Sequence, residues 1–111
     1  MDGRRIFNVG VTKFVDAVNN VCANADMDVH DIDLMITHQA NIRINTMCAR
    51  QLDFPFEKTF NNLEDYGNTS SATIPIALRD AIDSGRVEKD MTLCFVGFGG
   101  GFTWGSVLLK W

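Results

Sequence analysis

No apolar run in the 111-residue chain approaches the roughly 20 residues that cross a bilayer, so it offers no candidate for a membrane-spanning helix. Positive charge is scarce as well. Ten Lys and Arg stand against 14 Asp and Glu, a formal net charge of -4, and nothing here would neutralise a phosphate backbone wholesale. Nucleic acid is therefore not the expected partner, although a local basic patch remains open. Cysteine is limited to Cys22, Cys48 and Cys94, an odd number, widely spaced and without a Cys-x-x-Cys pair. Each sits among apolar neighbours, which points to reduced core residues of a cytosolic protein and not to a disulfide framework. The only histidines, His30 and His38, do not complete a close-spaced zinc set with them, so no metal is expected. Proline occurs twice, at 55 and 75. There is no internal repeat, linker or low-complexity segment. The start, Met1-Asp2-Gly3-Arg4-Arg5, leads into an amphipathic segment and not into a signal-peptide core.

What remains has the composition of a soluble globular domain, 46% hydrophobic and 22% charged, and its length fits one domain over 1–111. Apolar residues at Phe7, Val11, Phe14, Val18, Val21 and Ala25 fall in steps of three and four and predict a long helix. Asp26 to Asp31 reads as a loop. Ile32 to Ile36 is long enough for a buried strand, and a helix follows with Ile44, Cys48 and Leu52 inward. Phe54-Pro55 ends that helix, and Lys58 to Asn62 is a weaker strand candidate. Thr69, Ser70 or Ser71 can cap a third helix with Ile74, Leu78 and Ile82 as its buried stripe and Pro75 near its start; Gly85 suits the left-handed residue past its end. Met91 to Phe98 and Thr103 to Leu109 read as two strands joined through Gly99-Gly100-Gly101, with an antiparallel pairing expected. The pattern is α/β, a mixed sheet with helices on both faces. It begins with a helix that no strand precedes, which suggests part of a larger unit.

Two strand-to-helix corners carry the chemistry: Thr37-His38-Gln39-Ala40-Asn41 and Tyr66-Gly67-Asn68-Thr69-Ser70-Ser71-Ala72. Such corners are where ligands bind in open α/β sheets. If they meet, His38 and Asn68 offer two neutral hydrogen-bond donors to one developing negative charge. Taken singly, His38 is as well accounted for by a satisfied, partly buried histidine, and Asn68 by a turn residue. The glycine run lacks the following helix that a dinucleotide loop needs, and a tight hairpin explains it as well.

Asp31-Ile32-Asp33, His38-Gln39-Ala40-Asn41-Ile42-Arg43-Ile44, Tyr66-Gly67-Asn68-Thr69-Ser70 and Gly97-Phe98-Gly99-Gly100-Gly101-Phe102-Thr103-Trp104-Gly105 together resemble the C-terminal portion of 3-oxoacyl-[acyl-carrier-protein] synthase III. Thr37 departs from the proline usual before that histidine. The resemblance implies a thiolase-like fold, of which the chain matches only the C-terminal half without its first part, the complete enzyme being a homodimer. It implies an acyltransferase of fatty acid synthesis that joins an acyl-CoA primer to malonyl-[acyl carrier protein] with decarboxylation. On that reading His38 and Asn68 are the catalytic pair and the Gly100 N–H belongs to an oxyanion loop. Ala40, Asn41 and Phe98 would contact pantetheine, and Gln39, Arg43 and Arg50 the acidic carrier protein. CoA and 4'-phosphopantetheine thioesters are substrates and no cofactor is implied. The family's nucleophilic cysteine lies in the first half, so this chain is expected to be inactive alone and to need the N-terminal half. The location implied is cytoplasm, or plastid stroma in a plant. The alternatives are a non-catalytic fragment that only binds carrier protein, or a related condensing enzyme of secondary metabolism.

Overall fold

The computed structural model describes residues 3–37, 42–60, 73–99 and 103–111. In chain order they form α1 (Gly3–Asn24), a 3-10 turn (Val29–Asp31), β1 (Leu34–Thr37), α2 (Ile42–Gln51), a second 3-10 turn (Phe56–Lys58), β2 (Thr59–Phe60), α3 (Thr73–Asp83), β3 (Thr92–Gly99) and β4 (Thr103–Lys110). The four strands make one mixed sheet in the order β2-β1-β3-β4. β1 runs parallel to β2 and to β3, and β4 returns antiparallel to β3.

β1 is buried on both faces, and its alternating side chains feed two cores. Met35 joins Val11, Phe14, Ala17, Val18 and Cys22 of α1, Cys48 of α2 with Leu52 just past its end, and Cys94 and Val96 of β3. Leu34 and Ile36 meet Ala77 and Ala81 of α3 with Leu93 of β3. Helices thus cover both faces, α1 and α2 on one and α3 on the other, as the α/β pattern predicts. The stripe on α3 is displaced from the expected one. Its fully buried residues are Ala77 and Ala81, with Ile74 and Leu78 only partly buried beside them, so small side chains let the helix axis approach the sheet. On α2 the inward set is Asn45, Cys48, Ala49 and Leu52, which brings one amide into the interior. Ala25 is exposed beyond the end of α1.

Among the described residues, the three helices stop by the same device. Beyond α1, Met27 N–H donates to the Cys22 carbonyl at 2.8 Å; beyond α2, Phe54 N–H donates to Ala49 at 2.8 Å; beyond α3, Arg86 N–H donates to Ala81 at 2.9 Å. Each six-residue closure needs a left-handed residue inside it. Gly85 supplies it at φ 78°, as its position predicts, whereas Asp26 and Asp53 supply it at φ 55° and 53°.

The segment expected to be a loop before β1 contains the first 3-10 turn, closed by a reciprocal cap between Asp28 and Asp31. Ile32 ends that turn by donating to Val29 and does not belong to the strand, which begins at Leu34. Asp31 and Asp33 are exposed, yet neither is merely solvated: Asp33 Oδ2 accepts the Thr92 N–H at 2.8 Å and so joins the entry of β1 to that of β3. Of the weaker strand candidate, Thr59–Phe60 is a strand and residues 61 and 62 lie outside the described residues.

A left-handed conformation costs an L-residue about 1 kcal/mol relative to glycine, less for Asp. Asp26→Gly is therefore expected to raise the stability measured by urea unfolding by about 0.5 kcal/mol, and Gly85→Ala to lower it by about 1 kcal/mol.

Candidate active site

β1, β2 and β3 are parallel, so their C-terminal ends lie along one edge of the sheet, and β4 starts from that edge. The last registered pairs there are Ile36 with Phe60, Thr37 with Val96, and Gly99 with Thr103. Three segments leave or cross this edge: residues 38–41 after β1, 61–72 after β2, and 100–102 between β3 and β4. The chain leaving β1 enters α2 on one face, and the chain leaving the neighbouring β2 enters α3 on the other. Adjacent strands whose continuations part to opposite faces open a crevice at their carboxyl ends, the position ligands favour in such sheets.

His38, Gln39, Ala40 and Asn41 lie outside the described residues, as do Asn68 and Gly100. The described residues that flank them are Thr37 and Ile42, Phe60 and Thr73, and Gly99 and Thr103. Phe98 pairs through its backbone with Trp104, and its side chain is outside the described residues. Arg43 and Arg50 are both exposed on α2, seven residues apart and so on one face of the helix that begins at this edge. Two buried polar residues near this edge were not marked as site residues from the sequence: Thr37 at the end of β1 and Asn45 in the first turns of α2. For Asn45 the signal was available. It stands three and four residues before Cys48 and Ala49, on the inward side of the helix, where an amide is out of place unless it is bonded.

The thiols are remote in character from nucleophiles. Cys22, Cys48 and Cys94 are all buried and unpaired, in agreement with the expectation of reduced core residues. Burial pushes the Cys48 thiol up to about 12, and burial with a smaller contribution from the neighbouring Cys22 does the same for Cys94. Burial also raises Cys22, helped by Asp28 and Asp31. Cys48 uses its S–H on the carbonyl of Val11, 3.8 Å away, which fastens α2 to α1. Among the described residues no group of three or more His, Cys, Asp or Glu could hold a metal ion, and no helix is long and apolar enough to cross a membrane.

The chain is similar in sequence and in fold to known proteins. The family model for the 3-oxoacyl-[acyl-carrier-protein (ACP)] synthase III C terminal matches residues 22–111. Beta-ketoacyl-[acyl-carrier-protein] synthase III of Clostridium acetobutylicum is 43% identical across the whole chain, which covers 34% of that protein. The same enzyme of Staphylococcus saprophyticus is 41% identical, with 36% of it covered. Among solved structures, 3-oxoacyl-[acyl-carrier-protein] synthase III of Aquifex aeolicus superposes with a TM-score of 0.97 at 42% identity, over all of this chain and 36% of that one. The Thermus thermophilus enzyme gives 0.95 at 38% identity, over all of this chain and 35% of that one. The chain spans about a third of the length of the curated relatives it matches. In sequence and in the thiolase-like mixed sheet of its solved relatives, the chain belongs to the 3-oxoacyl-[acyl-carrier-protein] synthase III family, of which it is a C-terminal portion.

Proposed function

We propose that this chain supplies the C-terminal part of the active site of a cytoplasmic condensing enzyme, an acyltransferase that joins an acyl-CoA primer to malonyl-[acyl carrier protein] and so initiates fatty acid synthesis. The observation that supports the reading is that β1, β2 and β3, the strands after which the His38, Asn68 and Gly100 motifs follow in sequence, are parallel and end along one sheet edge, in a chain whose family is established. Loss of carbon dioxide from the malonyl group leaves negative charge on its thioester oxygen. His38 Nε2–H and the Asn68 amide NH₂ donate to that enolate oxygen, and the Gly100 N–H holds the oxyanion formed during acyl transfer. Neutral donors suit a dry pocket, so His38 works unprotonated. Ala40, Asn41 and Phe98 border the pantetheine arm, and no cofactor takes part. Arg43 and Arg50, exposed on one face of α2 and assisted by Gln39, steer the acidic carrier protein to the site.

The acyl group is held by a cysteine in the N-terminal half, because no thiol here is accessible enough or acidic enough to attack. The same half covers the side of β4 that α3 leaves bare, where Val107, Leu109 and Trp111 are 56%, 39% and 45% exposed. Apolar side chains concentrated along an eight-residue terminal strand need a cover. The complete enzyme is read as a homodimer.

Removal of either donor is expected to raise the barrier by about 3 to 4 kcal/mol. His38→Ala and Asn68→Ala, each made in the complete enzyme, should therefore slow malonyl-[acyl carrier protein] decarboxylation by at least about a hundredfold; wild-type rates in both would overturn the assignment. Incubated with acyl-CoA, the 111-residue chain should show no stable acyl adduct by mass spectrometry. An adduct on Cys22, Cys48 or Cys94 would place the nucleophile here instead. The isolated chain should also self-associate in light scattering, and Val107→Lys should reduce that association while leaving the far-UV circular dichroism unchanged.

A further inference from the structure

At the opposite edge of the sheet, where the parallel strands begin, one imidazole joins two connections. His30 sits in the 3-10 turn before β1. Its Nδ1 lies 2.8 Å from Asp28 Oδ1, and its Nε2 lies 2.9 Å from the backbone carbonyl oxygen of Asp53, the left-handed residue that closes α2. Both partners are acceptors. A carboxylate and a carbonyl have no proton to give, and a neutral imidazole has only one N–H. Neutral His30 can satisfy one of them and must turn a lone pair toward the other. The imidazolium donates to both. The turn is already built around this residue, since Asp28 Oδ1 also accepts the His30 backbone N–H at 2.9 Å and Asp31 Oδ2 accepts the Asp28 N–H at 3.1 Å.

We propose that His30 is a proton-operated staple between the α1–β1 and α2–β2 connections, closed on both sides as imidazolium and released on one side when it loses its proton.

The charged surroundings favour the closed form. Asp28 and Asp31 belong to the turn itself, Asp26 ends α1, and Asp53 stands across on the α2–β2 connection. The cation of the last turn of α2 is Arg50, and the thiol of Cys22 lies beneath the turn, where Asp28 and Asp31 act on it. The Asp53 carbonyl first, and then the Asp28 carboxylate, hold His30 above its ordinary value of 6.5. The contacts with His30 hold Asp28 below its ordinary 3.8, its backbone N–H contributing most. The sign follows from the raised value. What His30 adds to stability is fully present below pH 6.5 and is lost as pH rises through its folded value. The contribution of Asp28 runs the other way, present above pH 3.8 and lost as pH falls through its lowered value. The staple is therefore complete in the mildly acidic range between them.

Nuclear magnetic resonance titration of the side-chain nitrogens in the full chain tests this directly, since His38 is the only other histidine. His30 is expected to titrate above 6.5 with both nitrogens protonated below that point, and Asp28→Asn is expected to lower its midpoint. Thermal unfolding provides the second arm, with His30→Gln as a variant that keeps one donor at every pH. The advantage of the wild type over His30→Gln should be present below pH 6.5 and absent at alkaline pH. A His30 midpoint at or below 6.5, or a thermal difference equal at both pH values, would overturn the proposal.

Discussion

Complete burial of a four-residue strand governs this structure. Leu34, Met35, Ile36 and Thr37 are each at most 2% exposed, and β1 has a parallel neighbour on either side. Neither face of such a strand can be left to water, so apolar helices must lie on both. The chain meets this demand by crossing from β1 to β2 in one direction and from β2 past β1 to β3 in the other. Crossovers between parallel strands are right-handed, so two that advance in opposite directions fall on opposite faces. The parting of the backbone at the carboxyl edge follows from that. The opening between the carboxyl ends of β1 and β2, the strands that the His38 and Asn68 motifs follow in sequence, is thus a geometric consequence of burying β1, and not a separate feature added to it.

The two faces are packed by different means. On the α1 and α2 side, large residues such as Phe14, Leu52 and Phe54 fill the space, and the cysteines serve as small apolar groups. On the α3 side, Ala77 and Ala81 bring the helix backbone close, so Ile36 and Leu93 press against it with little intervening volume. α1 also extends over β4, where Ser106 Oγ donates to the Ala17 carbonyl at 2.7 Å and Lys13 Nζ stands 4.3 Å from the Trp104 ring. The other side of β4 is left more open, with Val107 and Leu109 exposed.

Periodicity made the elements legible where large apolar residues recur. α1 and β3 announce themselves in this way, and Gly85 marks its helix end because glycine has one obvious use there. The same counting favoured Ile74, Leu78 and Ile82 over Ala77 and Ala81, since alanine carries little weight in a hydrophobic stripe although it decides how closely a helix can approach. Ile32 was drawn into β1 because an apolar residue beside a strand looks like its first member, and the Asp28–Asp31 cap that ends the turn there is visible only in three dimensions. The candidate site was legible as words in order, His38 with its neighbours, Asn68 with its neighbours, and the glycine run. Its geometry was not, because which strand ends share an edge depends on sheet order, and sheet order follows from handedness and burial. His30 was read only as a failed zinc ligand. A lone histidine in a polar loop has no periodic signal, and its two acceptors come from residues 28 and 53.

The opposite edge explains how the site edge comes to be aligned. A slip of one residue in any strand would turn its core face outward, so register has to be held where the strands enter. Three contacts do so. The Asp33 carboxylate with Thr92 ties β1 to β3, Arg86 Nη2 donating at 2.7 Å to the Glu57 carbonyl ties the approach to β3 to the approach to β2, and His30 with Asp53 ties the approach to β1 to that of β2. Each of the three parallel strands is thereby fastened to the other two at or before its first residue. The first two contacts use a backbone N–H and a guanidinium, donors that keep their protons throughout the range in which an imidazole titrates. Only the third changes its number of donors there. Loss of that proton leaves β1 fixed to β3, and so leaves the ends of β1 and of the β3–β4 hairpin level with each other, while loosening the tie between β1 and β2. The segments carrying His38 and Asn68 leave from those last two strands. The mutual position of the carboxyl ends of β1 and β2, at Thr37 and Phe60, is therefore the feature of that edge most directly coupled to the protonation of a residue at the far end of the sheet.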